Sequence, residues 1–363
     1  MDQATLIHTT VGLLLLVGGA ELLVRGASRL AGLLGISPLV VGLTVVAFGT
    51  GSPELAVSVQ SAWTGRPDIA VGNVVGSNIL NVLLVLGLSA LITPLMVSRQ
   101  LVRLDVPLMI GVSLILYLFA RNGTISQLEG LLLFCGIVAY TIFAVRKSRQ
   151  EANQATDGDT LASGDVPQRR KMAQLLRHSI LVVVGFVLLV VGARWMVEGA
   201  VAVARLLGIS ELIIGLTVVA VGTSLPEIAA SVVAGIRGER DMAVGNVVGS
   251  NIFNILAVLG LSSMASSSGL RVSETALHVD IPIMLATAVA CLPIFFTGHR
   301  IDRWEGGLFL AYYLAYTAYL GLHAMEHDAL PAFSYVMLGF VIPLTVVTMG
   351  VLFWRSAHAA RYQ

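Results

Sequence analysis

The chain has 363 residues, of which 56% are hydrophobic and only 12% are charged, and its mean hydropathy is +0.87. Soluble domains carry about 25% charged residues, so this composition excludes a soluble globular protein and predicts a polytopic membrane protein. The formal net charge of +1 gives no support for nucleic-acid binding.

Eleven apolar runs are near or above the roughly 20 residues that a helix needs to cross a bilayer. They lie at 6–33, 38–63, 69–93, 103–120, 127–145, 178–207, 211–236, 242–266, 276–297, 304–323 and 332–354. No basic segment precedes the first run and no A-x-A site follows it, so we expect a retained helix and not a cleaved signal peptide. The polar stretch 146–173 predicts a loop or disordered linker.

One stretch of the chain occurs twice. Residues 42–58 read GLTVVAFGTGSPELAVS and residues 215–231 read GLTVVAVGTSLPEIAAS. Residues 68–81, DIAVGNVVGSNILN, return as residues 241–254, DMAVGNVVGSNIFN. The offset is 173 without a gap, and weaker matches extend the repeat over five helices in each half. Because five is odd, the second copy is inverted in the membrane, which is a transporter architecture.

The sequence therefore predicts an all-α polytopic membrane protein with two inverted five-helix repeats plus one extra C-terminal transmembrane helix. The predicted parts are a first repeat at 1–146, a cytoplasmic linker at 147–173, an inverted second repeat at 174–323, and the extra helix with a cytoplasmic tail at 324–363.

Each copy of the repeat places a glutamate directly after a proline, within an apolar segment. A charged side chain at the bilayer centre costs about 2.5–3.5 kcal/mol on insertion scales, so Glu54 and Glu227 mark a functional site. Proline lacks an N–H and its ring clashes with the preceding turn, so we expect the helices to break at Pro53 and Pro226. Freed carbonyls, a threonine hydroxyl and a carboxylate together form an oxygen-rich site for a hard cation.

The spacing of the polar residues in the motif is helical. Thr50 and Glu54 are four residues apart and share a helix face, and so do Ser77 and Asn81. The small residues of GNVVGSN can also serve only to pack membrane helices together, and this alternative stays open for Ser77 and Asn81. Packing does not need a carboxylate, so it does not explain Glu54.

Two copies of G-T-x-x-P-E, each followed by G-N-x-x-G-S-N-x-x-N, resemble the cation/calcium exchanger superfamily, and within it the prokaryotic sodium/calcium exchangers. The likeness covers about residues 5–323. It implies a ten-helix fold of two inverted repeats, no enzymatic activity, no cofactor, and Ca²⁺ and Na⁺ as the transported ions. It implies these ligands: Glu54 and Glu227 for calcium, Thr50 and Thr223 as added oxygens, Ser77 and Ser250 at flanking sodium sites, and Asn81 and Asn254 beside the centre.

The chain departs from the pattern of this family at three places. Gly51-Ser52 replaces the usual Ser-Leu, which the second copy keeps as Ser224-Leu225, so one hydroxyl near a sodium site is missing on the first side. Asn254 stands where potassium-dependent relatives carry Asp, which argues against potassium dependence. The eleventh helix has no counterpart in the ten-helix pattern.

The distribution of Lys and Arg predicts the orientation. The 146–177 loop carries seven of them, which places it in the cytoplasm, the N-terminus outside and, after eleven spans, the C-terminus inside. We expect a multi-pass protein of the cell (inner) membrane, with the lipid bilayer and the two ions as partners. Oligomeric state carries no sequence signal.

Several charged residues in apolar runs have structural explanations. Glu21 and Arg25 are four apart, as are Arg194 and Glu198, so each pair can neutralise itself within one helix. Asp105 and Asp280 come shortly before a proline near a helix start, and we expect them to be helix caps.

Three alternatives to a sodium/calcium antiporter stay open. A proton-coupled calcium antiporter would use the same carboxylates. A cation channel is disfavoured, because inverted repeats with broken helices are typical of alternating access. An intramembrane hydrolase with Ser52 as nucleophile would need a base such as His, and the motif helices contain none.

Overall fold

The computed structural model describes residues 3–156, 168–209, 214–296 and 298–359, and these residues are almost all helical. The helices are α1 (Gln3–Leu34), α2 (Pro38–Thr50), α3 (Ser52–Trp63), α4 (Pro67–Ile92), α5 (Leu101–Ala120), α6 (Gln127–Thr156), α7 (Gln168–Leu206), α8 (214–223), α9 (Leu225–Ile236), α10 (Arg240–Ala265), α11 (Ala276–Phe296), α12 (Arg303–Ala324) and α13 (330–359). Four short strands are β1 (Leu95–Met96), β2 (Thr124–Ile125), β3 (Leu270–Arg271) and β4 (Arg300–Ile301).

Among the described residues, eight helices are long and apolar enough to cross a membrane, and the bent pair α2–α3 makes a ninth. The other two predicted spans are 211–236 and 304–323. The first corresponds to α8 and α9, and its residues 211–213 lie outside the described part of the chain. The second is α12, which is 22 residues long but contains four tyrosines, so it is less apolar than the other spans.

The pairing of the strands shows that the two repeats are inverted. β1 and β2 lie at opposite ends of α5, and β3 and β4 lie at opposite ends of α11. β1 pairs with β4, and β2 pairs with β3, both antiparallel. The start of α5 is therefore beside the end of α11, and the end of α5 is beside its start. Equivalent helices of the two halves thus run in opposite directions, as predicted.

Both motif helices break where the sequence predicts. α2 ends at Thr50, Gly51 has a non-helical ψ of 2°, and α3 begins at Ser52 with Pro53 in its first turn. The axes of α2 and α3 differ by 48°. The second copy breaks at Ser224, where ψ is 10°, and α9 starts with Pro226 in its first turn. The missing N–H of proline is harmless at a helix start, so the break falls just before it.

α4 and α10 form the centre of the molecule. Every residue from 242 to 253 of α10 is buried, and most of α4 is buried too. In both helices the α-helical turns widen into a π-helical segment, Asn81–Leu86 and Asn254–Leu259, at the same place in the repeat. Such widened turns are frequent at functional sites.

α1 and α7 pack against each other along most of their length through glycines. A Cβ at Gly19 would lie 2.7 Å from the backbone N of Leu189, and a Cβ at Gly185 would lie 2.6 Å from that of Leu23. Small residues allow membrane helices to approach this closely. The backbones of the two helices are therefore in close contact at these points.

α13 lies beyond the two repeats. Most of its apolar side chains are exposed, as expected of a helix that faces lipid. Tyr312 of α12 donates a hydrogen bond to Thr345 Oγ1 at 2.7 Å, which attaches α13 to the second repeat.

Two predictions about local structure are wrong. The stretch 146–173 was predicted to be a loop or disordered linker, but α6 continues to Thr156 and α7 starts at Gln168; residues 157–167 lie outside the described part.

Asp105 is not a helix cap either, because its oxygens accept from Tyr140 Oη at 3.0 Å and Gln100 Nε2 at 3.4 Å. The helix starts upstream, at Leu101, so no free N–H groups face this carboxylate.

Asp280 repeats the arrangement of Asp105. Its Oδ1 accepts from Tyr316 Oη at 3.2 Å, and the surrounding helix starts at Ala276. The capping prediction is therefore wrong here for the same reason. Both aspartates instead connect the fourth helix of a repeat to the fifth. The self-neutralising pairs are confirmed, since Glu21 binds Arg25 and Arg194 Nε lies 2.9 Å from Glu198 Oε1.

Candidate functional site

The two motif glutamates lie at the breaks of the two bent helices. Glu54 is in the first turn of α3 and Glu227 is in the first turn of α9, and each is only 1% exposed. The N-terminal end of a helix carries a partial positive charge, which offsets part of the cost of a buried anion. The two carboxyl groups are close enough to interact electrostatically. The fold thus brings residues 173 positions apart into one buried site.

Hydroxyl groups reach across from the opposite repeat. The Ser224 side chain faces the carboxylate of Glu54, and the Thr50 side chain faces that of Glu227. Thr50 Oγ1 also lies 3.2 Å from the carbonyl of Val46. Thr50 is the last residue of α2 and Ser224 lies in the break between α8 and α9, so inversion brings each break beside the first turn of the other bent helix.

Many oxygens of this region are buried and have no hydrogen-bond partner among the described residues. They are Glu54 Oε1 and Oε2, Glu227 Oε2, Ser224 Oγ, Ser250 Oγ, Asn81 Oδ1 and Asn254 Oδ1. Buried polar atoms are nearly always hydrogen-bonded, so such a cluster needs an explanation. Carboxylate, amide and hydroxyl oxygens are the ligands that Ca²⁺ prefers, and this set fits a hard cation.

The five other predicted site residues lie on α4, α8 and α10, and one of them, Asn254 of α10, belongs to the asparagines that join the central helices. Ser77 is 6% exposed on α4, and Ser250 and Asn81 are fully or almost fully buried on the central helices. Thr223, at the end of α8, is partly exposed. The structure therefore brings Thr50, Ser224 and the two glutamates together, and it places Ser77, Ser250 and Asn81 on the helices that pack around them.

Asparagines join the two central helices. Asn78 Nδ2 donates to the carbonyl of Asn251 at 3.3 Å, and Asn251 Nδ2 donates to the carbonyl of Asn78 at 3.4 Å. Asn254 Nδ2 donates to Asn78 Oδ1 at 3.1 Å. Asn254 therefore turns its Nδ2 toward α4, while its Oδ1 is one of the unpartnered oxygens.

A second pair of asparagines contacts the bent helices close to the glutamates. Asn73 Nδ2 donates to Ser58 Oγ at 2.9 Å and to the backbone carbonyl of Glu54 at 3.3 Å. Asn246 Nδ2 donates to Ser231 Oγ at 2.9 Å, and its Oδ1 lies 3.3 Å from Thr50 Oγ1. These residues were not predicted as site residues, although they repeat at the same offset of 173 and that signal could have identified them.

The missing hydroxyl of the first repeat has a structural counterpart. A Cβ at Gly51 would lie 3.0 Å from Cδ1 of Phe253, so the aromatic ring takes the space of a side chain there. In the second copy the equivalent positions are Ser224 and Leu80. Gly51 and Phe253 on one side of the molecule thus correspond in sequence to a serine and a leucine on the other. The missing hydroxyl at Gly51 was predicted from the sequence, but the contact with the ring of Phe253 was not.

The family model described as "Sodium/calcium exchanger protein" matches residues 5–146 and 178–322. The chain belongs to the sodium/calcium exchanger protein family. Its sequence is 34% identical over 341 residues to "Sodium/calcium exchanger MaX1" of Methanosarcina acetivorans, a match that covers 85% of this chain and 96% of that protein. It is 39% identical over 285 residues to "Inner membrane protein YrbG" of Escherichia coli, covering 77% of this chain and 85% of that one.

Solved structures of the sodium-calcium exchanger NCX_Mj have the same fold. One of them superposes with a TM-score of 0.74 at 31% sequence identity and covers 88% of this chain and 100% of that chain. As a member of the sodium/calcium exchanger family, this protein is a multi-pass membrane protein and a cation/calcium antiporter. α13 lies outside the family match, which ends at residue 322.

Proposed function

We propose that this protein exchanges calcium for sodium across the membrane by alternating access, with Glu54 and Glu227 as the calcium ligands. One observation carries this proposal. Two carboxylates from opposite repeats face each other, each 1% exposed, and neither has an ion-pair partner among the described residues. An uncompensated buried carboxylate costs several kcal/mol, on the order of the stability of a domain, so a cation is the natural partner of this pair.

Charge balance explains why the two ions exclude each other. Two ionised carboxylates carry a charge of about −2, which one calcium ion or two sodium ions neutralise. A third sodium ion leaves about +1. Calcium together with several sodium ions would overload the site, since an excess buried charge is as costly as a deficit. Ser224 and Thr50 are the hydroxyls nearest to the carboxylates and would complete the coordination of either ion.

The fold supplies elements that can move relative to each other. α1 and α7 lie against the bent helices α2–α3 and α8–α9 and touch each other through glycines. Sliding of this helix pair past the central helices would open the site first to one face and then to the other. An occupied site crosses with its charge compensated, whereas an empty one would expose two bare carboxylates to a low dielectric.

Exchange of either glutamate for glutamine tests the ligands. Glu54→Gln and Glu227→Gln preserve shape and remove one charge, and we expect calcium affinity to fall about a hundredfold or more, since breaking a buried charge pair costs about 3–5 kcal/mol. The matched control is Glu198→Gln, which removes an exposed glutamate of α7. Calcium binding by isothermal titration and calcium uptake into proteoliposomes are measured for all three. Near-normal uptake by either site variant would show that the carboxylates do not bind calcium.

The coupling ion is tested separately. Proteoliposomes loaded with sodium are diluted into sodium-free medium with labelled calcium, and a second set receives only a proton gradient. Under the proposal the sodium gradient drives uptake and the proton gradient does not. Uptake driven by protons, with no response to sodium, would establish the proton-coupled alternative at the same site.

A further inference from the structure

A cavity of about 1050 Å³ opens beside the ends of α1 and α7, far from the glutamate site. It is bounded by the last turns of α1, the first turns of α7 and the turn between α9 and α10. The start of α7 follows the linker, so the cavity lies on the linker face of the molecule. Helix ends of a membrane protein lie at the level of the lipid headgroups.

The cavity is basic. Arg25, Arg29, Arg177 and Arg237 contribute to its lining, and Glu239 is the one acidic residue of that lining among the described residues. An arginine is always charged and binds phosphate oxygens in a planar, two-pronged geometry. The composition of the lining thus fits an anion that carries phosphate.

Part of this positive charge is neutralised within the protein. Glu21 accepts from Arg25 and also lies 2.6 Å from Arg237 Nη2, so one carboxylate serves two arginines. Glu239 Oε1 accepts from Ser28 Oγ at 2.5 Å. These contacts join α1 to the end of α9 and to the turn after it, and they hold the walls of the cavity in place.

Two arginines remain available. Neither Arg29 nor Arg177 has an ion-pair or hydrogen-bond partner among the described residues, and both line the cavity. Around them the lining is mixed: Val24, Leu33 and Leu181 are apolar. A cavity that combines free guanidinium groups with apolar side chains at headgroup level matches a phospholipid, with its phosphate at the arginines and its chains along the helices.

The opposite face of the molecule serves as an internal comparison. Through the 173-residue offset, Arg25, Arg29 and Arg237 correspond to Glu198, Ala202 and Thr64. The fold is the same on both faces, so the cluster of arginines is not required by the helix packing. This difference between the repeats follows the excess of Lys and Arg that orients the chain, and it confines the arginine-lined cavity to the linker face.

We propose that this cavity binds the headgroup of an anionic phospholipid, with Arg29 and Arg177 as the principal contacts to its phosphate. Because its walls come from α1, α7 and the end of α9, a bound lipid would connect the glycine-packed helix pair to the helices of the ion site. Basic pockets between membrane helices are recognised binding places for such headgroups.

The test is a lipid titration read by native mass spectrometry. Purified protein is titrated with dioleoyl-phosphatidylglycerol and, in parallel, with dioleoyl-phosphatidylcholine. Each arginine near a membrane surface contributes about a fivefold change in affinity for an anionic lipid, so Arg29→Gln/Arg177→Gln is expected to bind phosphatidylglycerol about thirtyfold more weakly. Phosphatidylcholine binding stays unchanged. Arg29→Gln alone, expected to lose about fivefold, replaces the double variant if the latter does not fold.

The matched control is Arg66→Gln/Arg271→Gln, which removes two exposed arginines from the opposite face. The proposal expects this variant to bind phosphatidylglycerol like the unmodified protein. An equal loss in the control would overturn the proposal, because it would show an effect of net charge alone. So would inorganic phosphate that displaces the lipid at equal concentration, since the site would then be one for a soluble anion.

Discussion

The proposed ion site differs between its two halves at Gly51, which lies beside Phe253, and exchanging both residues for their equivalents in the second repeat tests whether this position faces the ions. The variant is Gly51→Ser/Phe253→Leu, which introduces the residue types of the equivalent positions, Ser224 and Leu80. Gly51→Ser alone places a Cβ 3.0 Å from Phe253 Cδ1 and 3.0 Å from the carbonyl of Ala47. Both distances are tighter than ordinary van der Waals contact, so the ring has to move.

The expected energies follow from this geometry. Overpacking by a small group costs about 1–3 kcal/mol, and we expect Gly51→Ser to lose that much stability. Phe253→Leu removes the obstructing ring, so the double variant should regain the part of the loss that the ring causes, while the contact with the carbonyl of Ala47 remains. A double-mutant cycle should therefore give a favourable coupling energy of about 1–3 kcal/mol between the two positions.

The same cycle predicts an effect on sodium. A neutral oxygen ligand contributes about 1 kcal/mol, which corresponds to about a fivefold lower sodium concentration for half-maximal exchange in the double variant. Calcium affinity should change little, because both carboxylates are retained. The measurements are unfolding in detergent and sodium-dependent calcium exchange in proteoliposomes. Additive stabilities together with unchanged sodium dependence would refute the argument, since position 51 would then neither contact Phe253 nor face the ions.

Three further perturbations test the fold around the site. Gly185→Leu should force α1 away from α7, since even a Cβ there would lie 2.6 Å from backbone, and should abolish transport in protein that still inserts; normal transport would contradict a close-packed interface. Tyr140→Phe removes a hydrogen-bond donor from the buried Asp105 and should lower the free energy of unfolding by about 1–3 kcal/mol; an unchanged free energy would show that this hydrogen bond does not form. Single cysteines at Ser163 and Ser356, in a cysteine-free background, should both resist an impermeant thiol reagent in intact cells; labelling at 356 alone would show that α13 does not span.

The repeat made the centre of the molecule predictable. An offset of 173 identified Thr50, Glu54 and their partners, and the prolines after the glycine-threonine pair located the breaks in the helices. Inversion then follows from counting five helices, and it brings the two glutamates together. These conclusions depend on periodicity and backbone chemistry, which the sequence shows directly.

Contacts between helices distant in sequence were not predictable in the same way. Helical spacing showed that Glu21 can bind Arg25, but it carries no information about Arg237, which binds the same carboxylate from another helix. The capping prediction for Asp105 failed because the sequence placed the helix start too late, and Tyr140 is the residue that contacts it. Such partners are determined by packing, which one sequence without relatives does not reveal.

Calcium efflux from proteoliposomes tests whether transport at the glutamate pair is an obligatory exchange. Proteoliposomes are loaded with labelled calcium and diluted into choline medium that contains neither sodium nor calcium, with the membrane potential clamped. Efflux should be slow, because the empty site would have to cross with two uncompensated carboxylates. Addition of external sodium, or of unlabelled calcium, should release the label, and neither should do so in Glu54→Gln. Rapid efflux into the ion-free medium would contradict the exchange mechanism and indicate a channel.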